Sequence, residues 1–155
     1  MNVRKKTLWQ IPAYVLVAGA VSYFLVVMLL SRFAVTVTED GTYSVDPARQ
    51  LIIYALLFVV VLALGGRWFC REMTRWEIFW SSTIVAAYGL ILLIIQLAFD
   101  LTTGKAGIVM YNLYRPFEWC SVWGLLFGGL DQTGLLGSIV QVLSVYLFML
   151  FGKKR

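Results

Sequence analysis

Asp100, Glu118 and Asp131 flank an apolar stretch, FEWCSVWGLLFGGL (residues 117–130), with Lys105 and Arg115 close by in the chain. Two carboxylates brought together can divide the roles of acid and base. These three are therefore the candidates for catalysis, provided a fold makes them converge. The rest of the chemistry is thin. The chain has no histidine, which removes the commonest general base and metal ligand. Its two cysteines, Cys70 and Cys120, are far apart and form no CxxC, so neither a thiol redox centre nor a structural zinc site is expected. No glycine-rich loop has the phosphate-binding spacing. No metal and no cofactor is expected, and the chain reads more readily as a non-enzyme than as an enzyme.

A second cluster lies in GGRWFCREMTRWEIFW, residues 65–80. Arg67, Arg71 and Arg75 recur every four residues, a spacing that on one helix drifts slowly around a single face. Trp68, Trp76 and Trp80 fall on a neighbouring face. Tryptophan suits the headgroup level of a bilayer, where its ring is apolar and its N–H is wet. The six residues therefore read as a helix extension at a membrane boundary, the arginines on lipid phosphates and the tryptophans as anchors. The sharper alternative is a docking surface for an acidic partner or an anionic lipid, for which three arginines fall short of the usual clusters of about four to eight.

What must position these groups is a membrane-embedded scaffold. Of the 155 residues 61% are hydrophobic and 14% charged, with a mean hydropathy of +0.82. Soluble domains carry about 45–50% apolar and about 25% charged residues. The net charge of +5 does not indicate nucleic acid, because the basic residues sit at the ends of apolar blocks instead of gathering on one surface. Four such blocks are expected as helices, at about 8–30, 48–66, 79–99 and 133–151. The first holds 23 residues without a charge, roughly 34 Å as a helix, enough for a hydrocarbon core of about 30 Å. It is too long for the core of a cleaved signal peptide. Nine basic residues fall before the first block, between the second and third, and after the fourth, against four in the other connections. The positive-inside rule then places both termini in the cytoplasm. Small size and short loops point to a bacterial cytoplasmic membrane.

The outer connections are a hairpin at about 33–47 and a cap at about 100–132. Asp40-Gly41 suits a two-residue turn, which would set Thr38 opposite Tyr43 and Thr36 opposite Val45. An isolated hairpin is marginal, so this one is expected to rest on the cap. Extending the apolar 117–130 piece back to Ile108 would carry Arg115, Pro116 and Glu118 into the membrane at several kcal/mol. The piece is therefore read as a re-entrant or interfacial helix on the outer side. Cys70 and Cys120 then lie on opposite sides, and an impermeant maleimide would reach only Cys120.

Within the blocks no charged residue occupies a central turn, which speaks against ion-coupled transport. Ala18 with Ser22, Ser82 with Ala86, and Gly124 with Gly128 are small residues four apart, a spacing that lets helices approach closely. Gln141 is read as a helix-packing group on the same ground. The fold class expected is an all-α polytopic membrane protein of one domain spanning residues 1–155. It has four transmembrane helices, a small extracytoplasmic β-hairpin and a re-entrant or interfacial helix. The function expected first is a non-enzymatic membrane subunit or regulator acting through helix packing and its outer cap. A small oligomeric channel or transporter comes second, and an enzyme using the outer carboxylates third. The partners expected are membrane lipids, with another membrane protein or further copies of the chain, and no nucleic acid.

Overall fold

The computed structural model describes residues 5–37, 41–101, 103–128 and 134–153. A short turn, α1 (Lys5–Leu8), leads into α2 (Gln10–Phe33). A two-stranded antiparallel sheet follows, β1 (Val35–Val37) and β2 (Tyr43–Val45). Then come α3 (Pro47–Leu64), running on as a π-helical turn to Phe69, and α4 (Arg75–Phe99). α2, α3 with its extension, and α4 are long and apolar enough to cross a membrane. The chain continues through α5 (Gly104–Tyr114), a 3₁₀ turn (Arg115–Cys120) and α6 (Val122–Phe127). It ends in α7 (Leu135–Leu143), which tightens into a 3₁₀ segment, Ser144–Phe151. This last apolar stretch is shorter than the other three.

Local chemistry sets the boundaries. Asp46 caps α3, accepting from the backbone N–H of Ala48 (2.9 Å) and Arg49 (3.3 Å), with Pro47 in the first turn where no N–H is required. Thr74 and Glu77 form a reciprocal capping box at the start of α4. That box starts α4 at Arg75, four residues before the expected 79, and it ends the idea of one continuous helix through residues 65–80. Arg67 lies in the π-helical turn, Arg71 in the bend after it and Arg75 on α4. The three arginines therefore do not share a helix face, and Trp68 is separated from Trp76 and Trp80 by the same bend.

One end of the bundle is tied together. The Thr7 hydroxyl donates to Glu77 (3.2 Å) and the Ser81 hydroxyl to the Leu8 carbonyl (2.8 Å). The Lys153 N–H donates to the Met73 carbonyl (3.0 Å) and the Arg75 N–H to the Lys153 carbonyl (3.4 Å). The chain leaves this tied end in α2, returns in α3, leaves in α4 and returns in α7 with its 3₁₀ extension. The start of the chain, the Arg67–Arg75 bend and Lys153 thus gather at one end, and the hairpin lies at the other. Arg4, Lys154 and Arg155 lie outside the described residues.

The hairpin pairs Val35 with Val45, Thr36 with Ser44 and Val37 with Tyr43. Thr36 therefore opposes Ser44 instead of Val45, one residue away from the expected register. The Asp46 N–H donates to the Ala34 carbonyl (2.9 Å) at the base of the ladder, which pins this pairing. Gly41 adopts φ +74°; Thr38 and Asp40 lie outside the described residues. β2 is exposed along its length, so among the described residues no part of the cap covers it.

The core centres on the 3₁₀ turn. Phe117, Trp119 and Cys120 are fully buried. Trp119 stacks on Phe58 of α3 (5.6 Å between centroids, 3° between planes) and meets Phe148 at 5.6 Å. Gly19, near the middle of α2, makes this possible. A Cβ there would strike the Arg115 carbonyl oxygen and come within 2.5 Å of Pro116 Cα, so only a bare backbone allows the turn to seat.

Candidate functional site

Pro116 cannot donate a backbone hydrogen bond, although Arg115 before it keeps helical angles, φ −49° and ψ −35°. α5 stops at Tyr114, and the 3₁₀ turn aims successive side chains in different directions. Sequence reasoning kept Arg115, Pro116 and Glu118 at the outer surface; the structure places their turn inside the bundle. On the far side from Gly19, the Phe117 ring fits against Gly89, where a Cβ would lie 2.7 Å from Phe117 Cζ.

Glu118 is 7% exposed. The Tyr54 hydroxyl of α3 donates to its Oε1 at 3.0 Å. Burial raises the carboxyl above its ordinary range, while the Tyr54 hydrogen bond and the charge of Arg115 pull the other way. Arg115 forms no ion pair with Glu118; its guanidinium lies over the Tyr23 ring of α2, 4.1 Å from the centroid. The Arg115 Nε is buried without a partner.

Glu118 lies on the wall of a cavity of about 340 Å³, lined also by Gln96, Tyr111, Tyr114, Ser121, Ser138 and Gln141. That volume is in the range of small-ligand pockets, about 300–1,000 Å³. The wall carries amide, hydroxyl and phenol groups and one carboxyl. The Tyr114 hydroxyl is buried without a hydrogen-bond partner, which in a native structure calls for an explanation. Gln141 holds the site together. Its Nε2 donates to the Phe117 carbonyl (3.0 Å) and to the Ser121 hydroxyl (3.1 Å). The first bond ties α7 to the backbone of the turn.

No family model, no curated protein and no solved structure matches the chain. The site stands on its own geometry.

The three carboxylates singled out from the sequence do not share this cavity among the described residues. Asp100 is an exposed C-cap of α4 in the left-handed region, φ 47°, and does not line the hollow. Asp131 lies outside the described residues. Of the two that are described, Glu118 is the one that lines the cavity. The small residues expected to pack helices are buried: Ala18, Ser22, Ser82 and Ala86. The Ser82 hydroxyl donates to the Val145 carbonyl at 3.2 Å. Gly124 lies against Gly137 of α7, where a Cβ would be 3.0 Å from Gly124 Cα.

Cys70 and Cys120 are both free and buried. The Cys120 thiol donates to the Phe117 carbonyl (3.1 Å) inside the bundle, so it is not the exposed outer thiol that the maleimide test requires. Burial pushes the Cys70 thiol up to about 12, away from the reactive thiolate.

Sequence reasoning missed the cavity because its wall is assembled from α4, α5, the 3₁₀ turn and α7. One signal was legible: Arg-Pro and a glutamate set in an otherwise aromatic run, YRPFEWC, mark a broken helix carrying charge.

Proposed function

We propose that this chain is a multi-pass integral membrane protein that binds a small organic cation from the extracytoplasmic side, without catalysing a reaction. In this reading four segments cross the bilayer, α7 with its 3₁₀ extension being the fourth. α5, the 3₁₀ turn and α6 form a re-entrant element, and both termini are cytoplasmic. Among the described residues the tied end carries Lys5, Lys6, Arg67, Arg71, Arg75 and Lys153, against Arg32, Arg49, Lys105 and Arg115 elsewhere, which supports that orientation under the positive-inside rule. A bacterial cytoplasmic membrane remains the setting inferred from size and loop length.

The observation that carries the proposal is Glu118, a buried carboxyl on the wall of a polar cavity and hydrogen-bonded to Tyr54. An ionisable group at membrane depth is a functional site by default, and broken helices near the midplane are where transporters bind their substrates. Glu118 supplies the negative charge, Tyr111 and Tyr114 supply rings, and the cavity amides and hydroxyls supply hydrogen bonds. A cation fits this set better than an anion, because Arg115 is already turned onto Tyr23. The transporter or receptor reading therefore moves ahead of the plain structural subunit.

The test is binding of a panel of small ammonium ions to the protein in nanodiscs, by calorimetry. Binding is expected to weaken more than tenfold in Glu118→Gln, a charge-assisted contact being lost. Affinity is expected to rise with pH, since the carboxylate is the form that attracts a cation. The midpoint should lie above 4.5, the ordinary carboxyl value, because burial raises it; Glu118→Gln should be flat. Absence of cation binding, or equal binding by the variant, would overturn the proposal.

The subunit reading keeps one specific support. Tyr43 is 80% exposed and Val37 65% exposed on the hairpin, an apolar face that a partner's outer domain would cover.

A further inference from the structure

At the tied end, away from Glu118, a second hollow of about 520 Å³ is lined by Ala63, Gly66, Arg67, Arg71 and Phe151. Gly66 sits flat on the Phe151 ring; a Cβ at that position would collide with the ring carbons. Arg67 and Arg71 stand on either side of the bend at Cys70 and frame the apolar floor. Both are exposed, and neither takes part in an ion pair among the described residues. Glu72 follows Arg71 in the chain but does not line the hollow. Trp68, 70% exposed, and Phe69 stand beside it, which is the company expected at headgroup level.

We propose that this hollow seats one anionic membrane phospholipid, with its phosphate between Arg67 and Arg71 and the first methylenes of a chain against Phe151 and Ala63. Guanidinium groups hold phosphate oxygens through paired, charge-assisted hydrogen bonds. The apolar floor between them favours a lipid over a free phosphate, which has nothing to place there. The site uses two of the three arginines. Arg75 starts α4, gives its backbone N–H to Lys153 and does not line the hollow. Because Phe151 belongs to the last segment, the lipid would join the end of α3 to the C-terminal segment. The inference rests on membrane placement and is independent of the Glu118 cavity.

The experiment is native mass spectrometry of the full chain released from nanodiscs of phosphatidylcholine containing a minor share of phosphatidylglycerol. Incorporation into the discs reports membrane placement separately. Wild type is expected to retain phosphatidylglycerol, and Arg67→Gln/Arg71→Gln to retain it about thirtyfold more weakly, two basic contacts at the membrane surface being lost. Arg75→Gln should match wild type, and an unchanged melting temperature of the double variant in pure phosphatidylcholine discs would show that it is folded. Equal retention by wild type and the double variant would overturn the site. Displacement of the lipid by millimolar inorganic phosphate would also overturn it, in favour of a soluble phosphate pocket. A double variant that loses an acidic protein partner while keeping phosphatidylglycerol would reassign the arginines to protein docking.

Discussion

The two ends of the bundle are built on different terms. At the tied end, Glu77 accepts from the Thr7 and Thr74 hydroxyls and the Thr74 N–H, Ser81 holds Leu8, and Lys153 is fastened to Met73 and Arg75. Several of these bonds would have to break before the strands of chain separate. Toward the hairpin end the structure depends on one inserted turn, seated on Gly19 and held by Gln141, with an open cavity beside it. Redundant bonding marks the anchor, and a single well-fitted insertion marks the working part. Binding sites are drawn from less redundantly held regions because a ligand must be able to enter.

If that contrast is right, the largest effect comes from unseating the turn. Gly19→Leu drives a side chain into backbone atoms of Arg115 and Pro116, which cannot move aside as a flexible side chain would. The expected loss is about 3 kcal/mol or more, read as a fall in melting temperature in detergent together with loss of cation binding. Near-normal stability would mean that the turn does not occupy this seat. Gln141→Leu is expected to cost about 2 kcal/mol, because it removes the hydrogen bonds to the Phe117 carbonyl and the Ser121 hydroxyl. It should also loosen ligand binding, which separates it from a purely structural change. At the tied end, Glu77→Gln should cost only about 1 kcal/mol, since neighbouring bonds remain, and should leave ligand affinity untouched. A larger effect at Glu77 than at Gln141 would reverse the comparison. The smallest effect concerns the thiols: maleimide should label neither native cysteine until the protein is unfolded, whereas Tyr43→Cys, fully exposed on the hairpin, should label from outside intact cells. Labelling of that variant only after permeabilisation would invert the orientation.

Much of the scaffold is legible in the sequence because burial in lipid writes itself as long uncharged runs. The blocks at 8–30, 48–66 and 79–99 match α2, α3 and α4 within a few residues, Thr74 and Glu77 excepted, whose capping box moves the start of α4. The hairpin is legible in kind but not in register, since one backbone bond at its base outweighs the local preference of Asp40-Gly41. The cavity was not legible. Periodicity reports which face of an element is apolar, whereas a cavity depends on how several elements meet, and charge at Arg115 and Glu118 reads as a reason to stay outside. Gly19 carries the same lesson, since an isolated glycine in a helix does not announce the turn that will lie on it.

Gln141 and the Lys153 bridge are both on the last stretch of chain, one partway along it and one past its end. That stretch is therefore fastened at two points, to the inserted turn and to the backbone of Met73 and Arg75. A rod pinned in this way transmits displacement: a shift of the Glu118 turn by an occupant would pull on the tied end of the bundle through this one segment.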